Sequence, residues 1–96
     1  MISEFCVNYD HPAVQGHFPG NPIVPGALIL EYVMQSVLDH LPDNVVVSGF
    51  SSVKYLLPVL PGQVLQVELF EPDNPKIEFK VMVDKHVAVT GSLTTK

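Results

Sequence analysis

Ninety-six residues fill one domain, and a chain this short buries a smaller share of its surface than larger domains do, so a dimer at least is expected. With 47% hydrophobic and 16% charged residues, nine prolines and six glycines, the composition excludes a disordered tail and suits a compact fold with many sharp turns. The net charge of −5, carried beside cations that are all lysine (Lys54, Lys76, Lys80, Lys85 and Lys96), argues against nucleic-acid binding, and the lone Cys6 excludes an internal disulfide or a CxxC motif.

No basic-then-apolar leader follows Met1, and Glu31 cuts the apolar run 27–30, so no membrane insertion is expected and a cytoplasmic setting is. Residues 2–8 predict a first strand, in which Cys6 reads as a small buried hydrophobe. Residues 10–25 hold Pro12, Pro19, Pro22 and Pro25 with Gly16 and Gly20, too many for a helix or sheet interior, and predict a structured loop. Helix formers follow from Pro25 to about residue 39, with Pro25 near the first helical position and Pro42-Asp43 ending the run. The apolar positions, among them Leu28, Ile29, Tyr32, Val33, Val37 and Leu41, surround most of the axis and predict a helix enclosed by other structure. A narrow polar stripe remains: Glu31, Gln35 and Asp39 are spaced four apart and stack along one side.

Residues 44–57 predict a long strand and residues 63–70 another. Alternation then sets Ile77, Phe79, Val81 and Val83 against Lys76, Glu78, Lys80 and Asp84, and resumes in Val87, Val89 and Leu93. Asp84-Lys85 is expected to turn this hairpin, and Glu71-Pro72-Asp73-Asn74-Pro75 the one before it. There is no internal repeat, and the prolines mark joints between short elements, so residues 1–96 form a single domain. One apolar helix followed by an antiparallel meander is an α+β pattern. To cover apolar residues on so many sides, the antiparallel β-sheet must wrap around the one central α-helix, which is a hotdog shape.

The informative segment is residues 16–26, GHFPGNPIVPG, followed on the helix by Glu31 and Gln35. The string GHFPGNPIVPGALILEYVMQ resembles the active-site segment of the bacterial 3-hydroxyacyl-[acyl-carrier-protein] dehydratases, whose pattern is GHFPGxPxxPGxxxxE with a glutamine four residues after the acid. Residues 53–62, VKYLLPVLPG, running into 63–68, resemble that family's strand, Pro-x-x-Pro-Gly turn and next strand. The two matches fall in the family's order and together cover nearly the whole chain.

The resemblance implies a hotdog dehydratase of a 3-hydroxyacyl thioester that needs no cofactor. It implies His17 and Glu31 as catalytic residues, and Gly26, Phe18, Pro25 and Gln35 around the substrate. In the family the loop histidine of one subunit meets the helix acid of the other, so the resemblance implies a homodimer or higher homo-oligomer with active sites across a twofold interface. Each role has a physical reason. Loss of the weakly acidic C2 proton suits a neutral imidazole, whose reference pKa lies near 6.5, and His17 is the expected base. The negative charge that then builds on the thioester oxygen is stabilised by a backbone N–H at a helix start, the role implied for Gly26. The 3-hydroxyl leaves only when protonated, and a carboxyl kept protonated by desolvation in an apolar tunnel, Glu31, is the expected donor. Gln35 is expected to orient that carboxyl, and Pro19, Pro22 and Pro25 to stiffen the loop carrying His17. Glu rather than Asp at position 31 resembles the branch that dehydrates without isomerising the double bond.

Taken alone, a loop histidine is usually a polar surface residue, and Glu31 would simply head the solvated stripe. His11 is expected to shape the loop, His40 to favour the helix C-terminus, and His86 to lie on the polar face of a strand. Without cysteines or a second histidine pair, His11 and His17 predict no metal site. Phe5, Phe50, Phe70, Phe79 and Tyr55 are expected in the core. Family members usually begin with a helix and a strand ahead of the segment matching residues 2–8, so an uncovered sheet edge and an altered acyl tunnel are expected. An acyl carrier protein is the implied partner, although carriers are acidic and this chain offers only Lys54, Lys76, Lys80 and Lys85 to one, which leaves a coenzyme A thioester open. A thioesterase on the same fold, and a non-catalytic subunit that binds acyl chains or stabilises a paralogous dehydratase, stand as the alternatives.

Overall fold

The computed structural model describes residues 1–8, 23–72 and 75–95. The described residues form one helix, α1 (Gly26–His40), and five strands: β1 (Ile2–Cys6), β2 (Val47–Tyr55), β3 (Val64–Leu69), β4 (Lys76–Val83) and β5 (His86–Thr95). They form one sheet in the order β1-β3-β4-β5-β2, every neighbouring pair antiparallel.

The meander β3-β4-β5 follows from the alternation in the sequence, because β3 and β4 bury every second residue. Asp84 and Lys85 turn the last hairpin with φ of 50° and 66°, the left-handed pair that matches the twist of the flanking strands. The pairing of β4 with β5 skips Ala88 of β5, and that of β2 with β5 skips Ser48 and Ser51 of β2; such extra residues bend a strand and increase its twist. They provide the curl that the apolar helix requires.

Ile29, Val33 and Val37, spaced four apart, form the buried ridge of α1, which lies against β1 and β3. They meet Leu65, Val67, Leu69, Ile77, Phe79 and Val89 in one continuous core. Burying each such side chain contributes about 1.5–3 kcal/mol. Ser36, also buried, donates its hydroxyl to the Tyr32 carbonyl (3.1 Å), so it carries no unsatisfied group into the core. At the C-terminal end of the helix, His40 hydrogen-bonds Ser3 of β1 (Nε2 to Oγ, 2.7 Å), which ties helix to edge strand.

Pro25 is the extended N-cap of α1, with φ −60° and ψ 141°, next to the first helical position as expected. Three expectations need correction. The helix is not enclosed within one chain: one sheet covers one side, and Leu38 on another is 71% exposed. Cys6 lies in a strand but is exposed, because Phe5 and Val7 take the face toward α1 and alternation turns Cys6 the other way. Phe79 is core, and Phe5 (stacked on Tyr32) and Phe50 (edge-on to Phe79) flank it, but Phe70 and Tyr55 are 40% and 52% exposed.

Candidate active site at the helix start

The N-terminus of α1 is held from three directions. The Pro25 carbonyl accepts from the N–H groups of Leu28 (3.1 Å) and Ile29 (3.3 Å). Val24 donates its N–H to the Val59 carbonyl (2.8 Å), which pins the approach to the helix against the segment after β2. That segment is in turn anchored on β5, where Leu56 and Leu57 both donate to the Ala88 carbonyl (2.7 and 3.2 Å). The Pro58-x-x-Pro61-Gly62 turn closes with Gly62, at φ 88°, donating to the Val7 carbonyl (2.8 Å).

The first N–H groups of a helix have no partner inside it. Among the described residues no side chain caps α1 and none accepts from the Gly26 N–H, and no acidic residue stands in the first turn of the helix. The macrodipole adds partial positive charge at this point, so the amide is an open site for a developing anion.

Beside it lies a groove of about 300 Å³ lined by Val24, Gly26, Ile29, Tyr55, Leu57 and Val59 among others, mostly apolar in character. Tyr55, the last residue of β2, lays its ring over Gly26: a β-carbon built there would stand 2.7 Å from Tyr55 Oη and 2.8 Å from its Cζ. A side chain at position 26 would push that ring outward.

Glu31 is exposed and does not line this groove. At about 100° per residue it sits about 140° around the axis from Gly26, so one chain presents its amide and its acid on different sides of the helix. The desolvation expected of Glu31 is therefore not supplied by its own chain. Gln35 does not orient Glu31 either; its side-chain amide donates to Asp39 (3.1 Å), one turn further on. Tyr32 stacks on Phe5 at 4.6 Å, and burial, helped by the nearby Glu31 carboxylate and Cys6, raises its hydroxyl pKa above the ordinary value. His17 and Phe18 fall outside the described residues. Of the expected site residues, the structure places Gly26 on the groove, with Pro25 beside it as the helix N-cap but not lining the groove, and sets Glu31 and Gln35 apart on the exposed stripe. Tyr55 was missed as a site residue, because an aromatic ending an apolar strand reads as core.

A single antiparallel sheet packed over one helix is the hotdog arrangement. The fold matches that of the dehydratase heterocomplex ApeI:P from Xenorhabdus doucetiae with a TM-score of 0.83 at 22% identity, covering 98% of this chain and 84% of that one. It also matches an acyl-CoA hydrolase from Staphylococcus aureus, with a TM-score of 0.69 at 19% identity, over 99% of this chain and 60% of that one. At these identities the likeness concerns the fold alone. In sequence, the chain is 35% identical to the 3-hydroxyacyl-[acyl-carrier-protein] dehydratase FabZ of Acetivibrio thermocellus over 98 aligned residues, 91% of this chain and 67% of that protein. The family model described as ApeI dehydratase matches residues 1–92, and the chain belongs to this ApeI-like dehydratase family. Among the described residues, no helix is long and apolar enough to cross a membrane.

Proposed function

We propose that this protein removes water from a (3R)-hydroxyacyl thioester to give the trans-2-enoyl thioester, and hydrates the product in reverse. The single observation that carries the reading is the Gly26 amide at the start of α1, without an acceptor among the described residues and beside an apolar groove, in a chain of a dehydratase family. The thioester carbonyl accepts from this amide, which makes the C2 proton easier to remove. His17 takes that proton, the C2–H electron pair becomes the C2=C3 bond, and the C3–O bond breaks as Glu31 protonates the leaving hydroxyl, which departs as water.

The opposed placement of Gly26 and Glu31 around the helix axis favours a site made by two copies, with the amide and His17 from one and Glu31 from the other. The proposed assembly is thus a homodimer or larger, acting in the cytoplasm, without cofactor, on an acyl carrier protein or coenzyme A thioester of fatty acid or related polyketide or pigment synthesis. If a carrier docks, Lys54, Lys76, Lys80 and Lys85 are its contacts, and their replacement raises KM for carrier-bound substrate alone.

The test follows enoyl absorbance for the wild type, His17→Ala and Glu31→Gln with a 3-hydroxyacyl thioester. Turnover by the wild type and loss in both variants is expected; equal rates in all three end the assignment, and release of free thiol without enoyl product would point to a thioesterase. Unfolding and refolding the two inactive variants together extends the test to the shared site. Half of the random dimers are mixed, and each has one intact site of two, so about a quarter of wild-type activity should return. Sites built within one chain would recover none.

A further inference from the structure

We propose that Tyr55 supplies a second hydrogen bond to the thioester oxygen, its phenol hydroxyl acting beside the Gly26 N–H. The inference deepens the dehydratase reading and rests on it. Three observations carry it. The phenol lies against Gly26, with Oη, Cζ and Cε1 at 2.7, 2.8 and 2.9 Å from the point a β-carbon would occupy, so the hydroxyl and the free amide border the same small space. The hydroxyl has no hydrogen-bond partner among the described residues, so it is free to donate to a bound group. Among the described residues, every other side chain lining the groove is aliphatic or proline, so there Tyr55 Oη is the polar side-chain atom nearest the Gly26 amide.

A ligand carbonyl at this place has two lone pairs, and a single backbone N–H satisfies one of them. A pocket of hydrocarbon with a few placed polar groups is the usual design of a small-molecule site, in which those groups fix orientation. The Oη donor fits the second lone pair. Its bond shortens as the oxygen gains charge on loss of the C2 proton, so it acts on the transition state more than on the bound substrate. The rigid support comes from the strand end: Tyr55 pairs with Val89 of β5, and the next two residues are both bonded to Ala88.

The experiment compares wild type, Tyr55→Phe and Tyr55→Ala on a 3-hydroxyacyl pantetheine thioester. Removing one such donor lowers turnover by about 10- to 100-fold, at or below the range seen for oxyanion donors in dry sites. We expect that fall in kcat for Tyr55→Phe with KM changed less than about twofold, since Phe keeps the ring over Gly26. Tyr55→Ala, which also loses the ring, should raise KM in addition. A second readout needs no turnover: the infrared band of a ¹³C-labelled thioester carbonyl bound to Glu31→Gln should lie below its position in water, and Tyr55→Phe added to that variant should move it part of the way back. Wild-type kcat in Tyr55→Phe with an unmoved carbonyl band overturns the proposal while leaving the dehydratase intact. A wild-type chain that forms no enoyl product from any 3-hydroxyacyl thioester overturns the parent reading, and this one with it.

Discussion

Replacing Gly26 by alanine measures how closely the Tyr55 ring covers the helix start. The added β-carbon would lie 2.7–2.9 Å from three phenol atoms, well inside van der Waals contact, so the ring must swing outward. Overpacking of a tight interior costs about 1–3 kcal/mol. Tyr55 is 52% exposed and its ring has room to leave, which puts the expected penalty near the low end, about 1 kcal/mol. Against this, alanine is the better helix former by up to ~1 kcal/mol in a helix interior and by less in the first turn. Gly26→Ala alone should therefore change stability by only a few tenths to about 1 kcal/mol. The two terms separate in a double-mutant cycle. Once Tyr55→Ala removes the ring, Gly26→Ala should become neutral or stabilising, with a coupling of about 1 kcal/mol between the sites. Tyr55→Phe keeps Cζ and Cε1 and should not relieve the clash. Thermal unfolding of the four chains at one fixed protein concentration reads this as about 4–8 °C per kcal/mol for a domain of this size. Additivity within about 0.3 kcal/mol would refute the contact on which both the groove and the Tyr55 proposal rest.

Three further outcomes follow from packing and charge. Phe79 is 2% exposed and carries the edge-on contact to Phe50, so Phe79→Ala should lose about 3–5 kcal/mol in denaturant unfolding; a loss under about 1 kcal/mol would contradict its place in the core. Gly91 has no room for a side chain: a β-carbon would run into the Ser52 carbonyl oxygen, a backbone atom, and the Phe79 ring, so Gly91→Ala should cost about 3 kcal/mol or more, and an unchanged midpoint would refute this packing. Tyr32 has a raised pKa, so above about pH 10 the unfolded chain releases its proton before the folded chain does. The Tyr32 contribution is present in full below that pH and is lost as pH climbs through the folded value; Tyr32→Phe should flatten that part of the alkaline stability curve, and an identical slope in both proteins would count against the raised pKa.

The meander was legible because period-2 alternation and a two-residue turn are local signals, and Ile77, Phe79 and Val81 all went to the core as expected. Strand ends were less so: residues 2–8 shrink to Ile2–Cys6 and 44–57 to Val47–Tyr55, since Val7 accepts from Gly62 of a turn, Val45 bonds back to Pro42, and Leu56 and Leu57 share the one Ala88 carbonyl instead of continuing the ladder. Alternation also separates two faces without saying which one the helix will cover, and Cys6 was assigned to the wrong one. Gly26 was legible in the candidate site, through a motif whose backbone chemistry is fixed by its position at a helix start. Tyr55 was not, since its contact with Gly26 joins segments far apart in the chain and no local pattern encodes it. The Glu31, Gln35 and Asp39 stripe read as solvated, and in one chain it is.

That exposure decides how assembly and catalysis are linked. Donors aimed at a developing oxyanion are effective in a dry site and weak in water. One chain leaves the groove open, with Tyr55, Leu56, Leu57 and Leu60 beside it 41–52% exposed and Leu38 bare on the helix. A single second surface laid over them would bury apolar area, exclude water from the Gly26 amide and the Tyr55 hydroxyl, and bring up a carboxyl from another helix. The contacts that hold two copies together would then also supply the dielectric that each step needs. Activity per chain should accordingly fall toward zero on dilution, in parallel with the loss of dimer seen by sedimentation. A specific rate that stayed constant while the dimer dissociated would show that one chain builds the whole site.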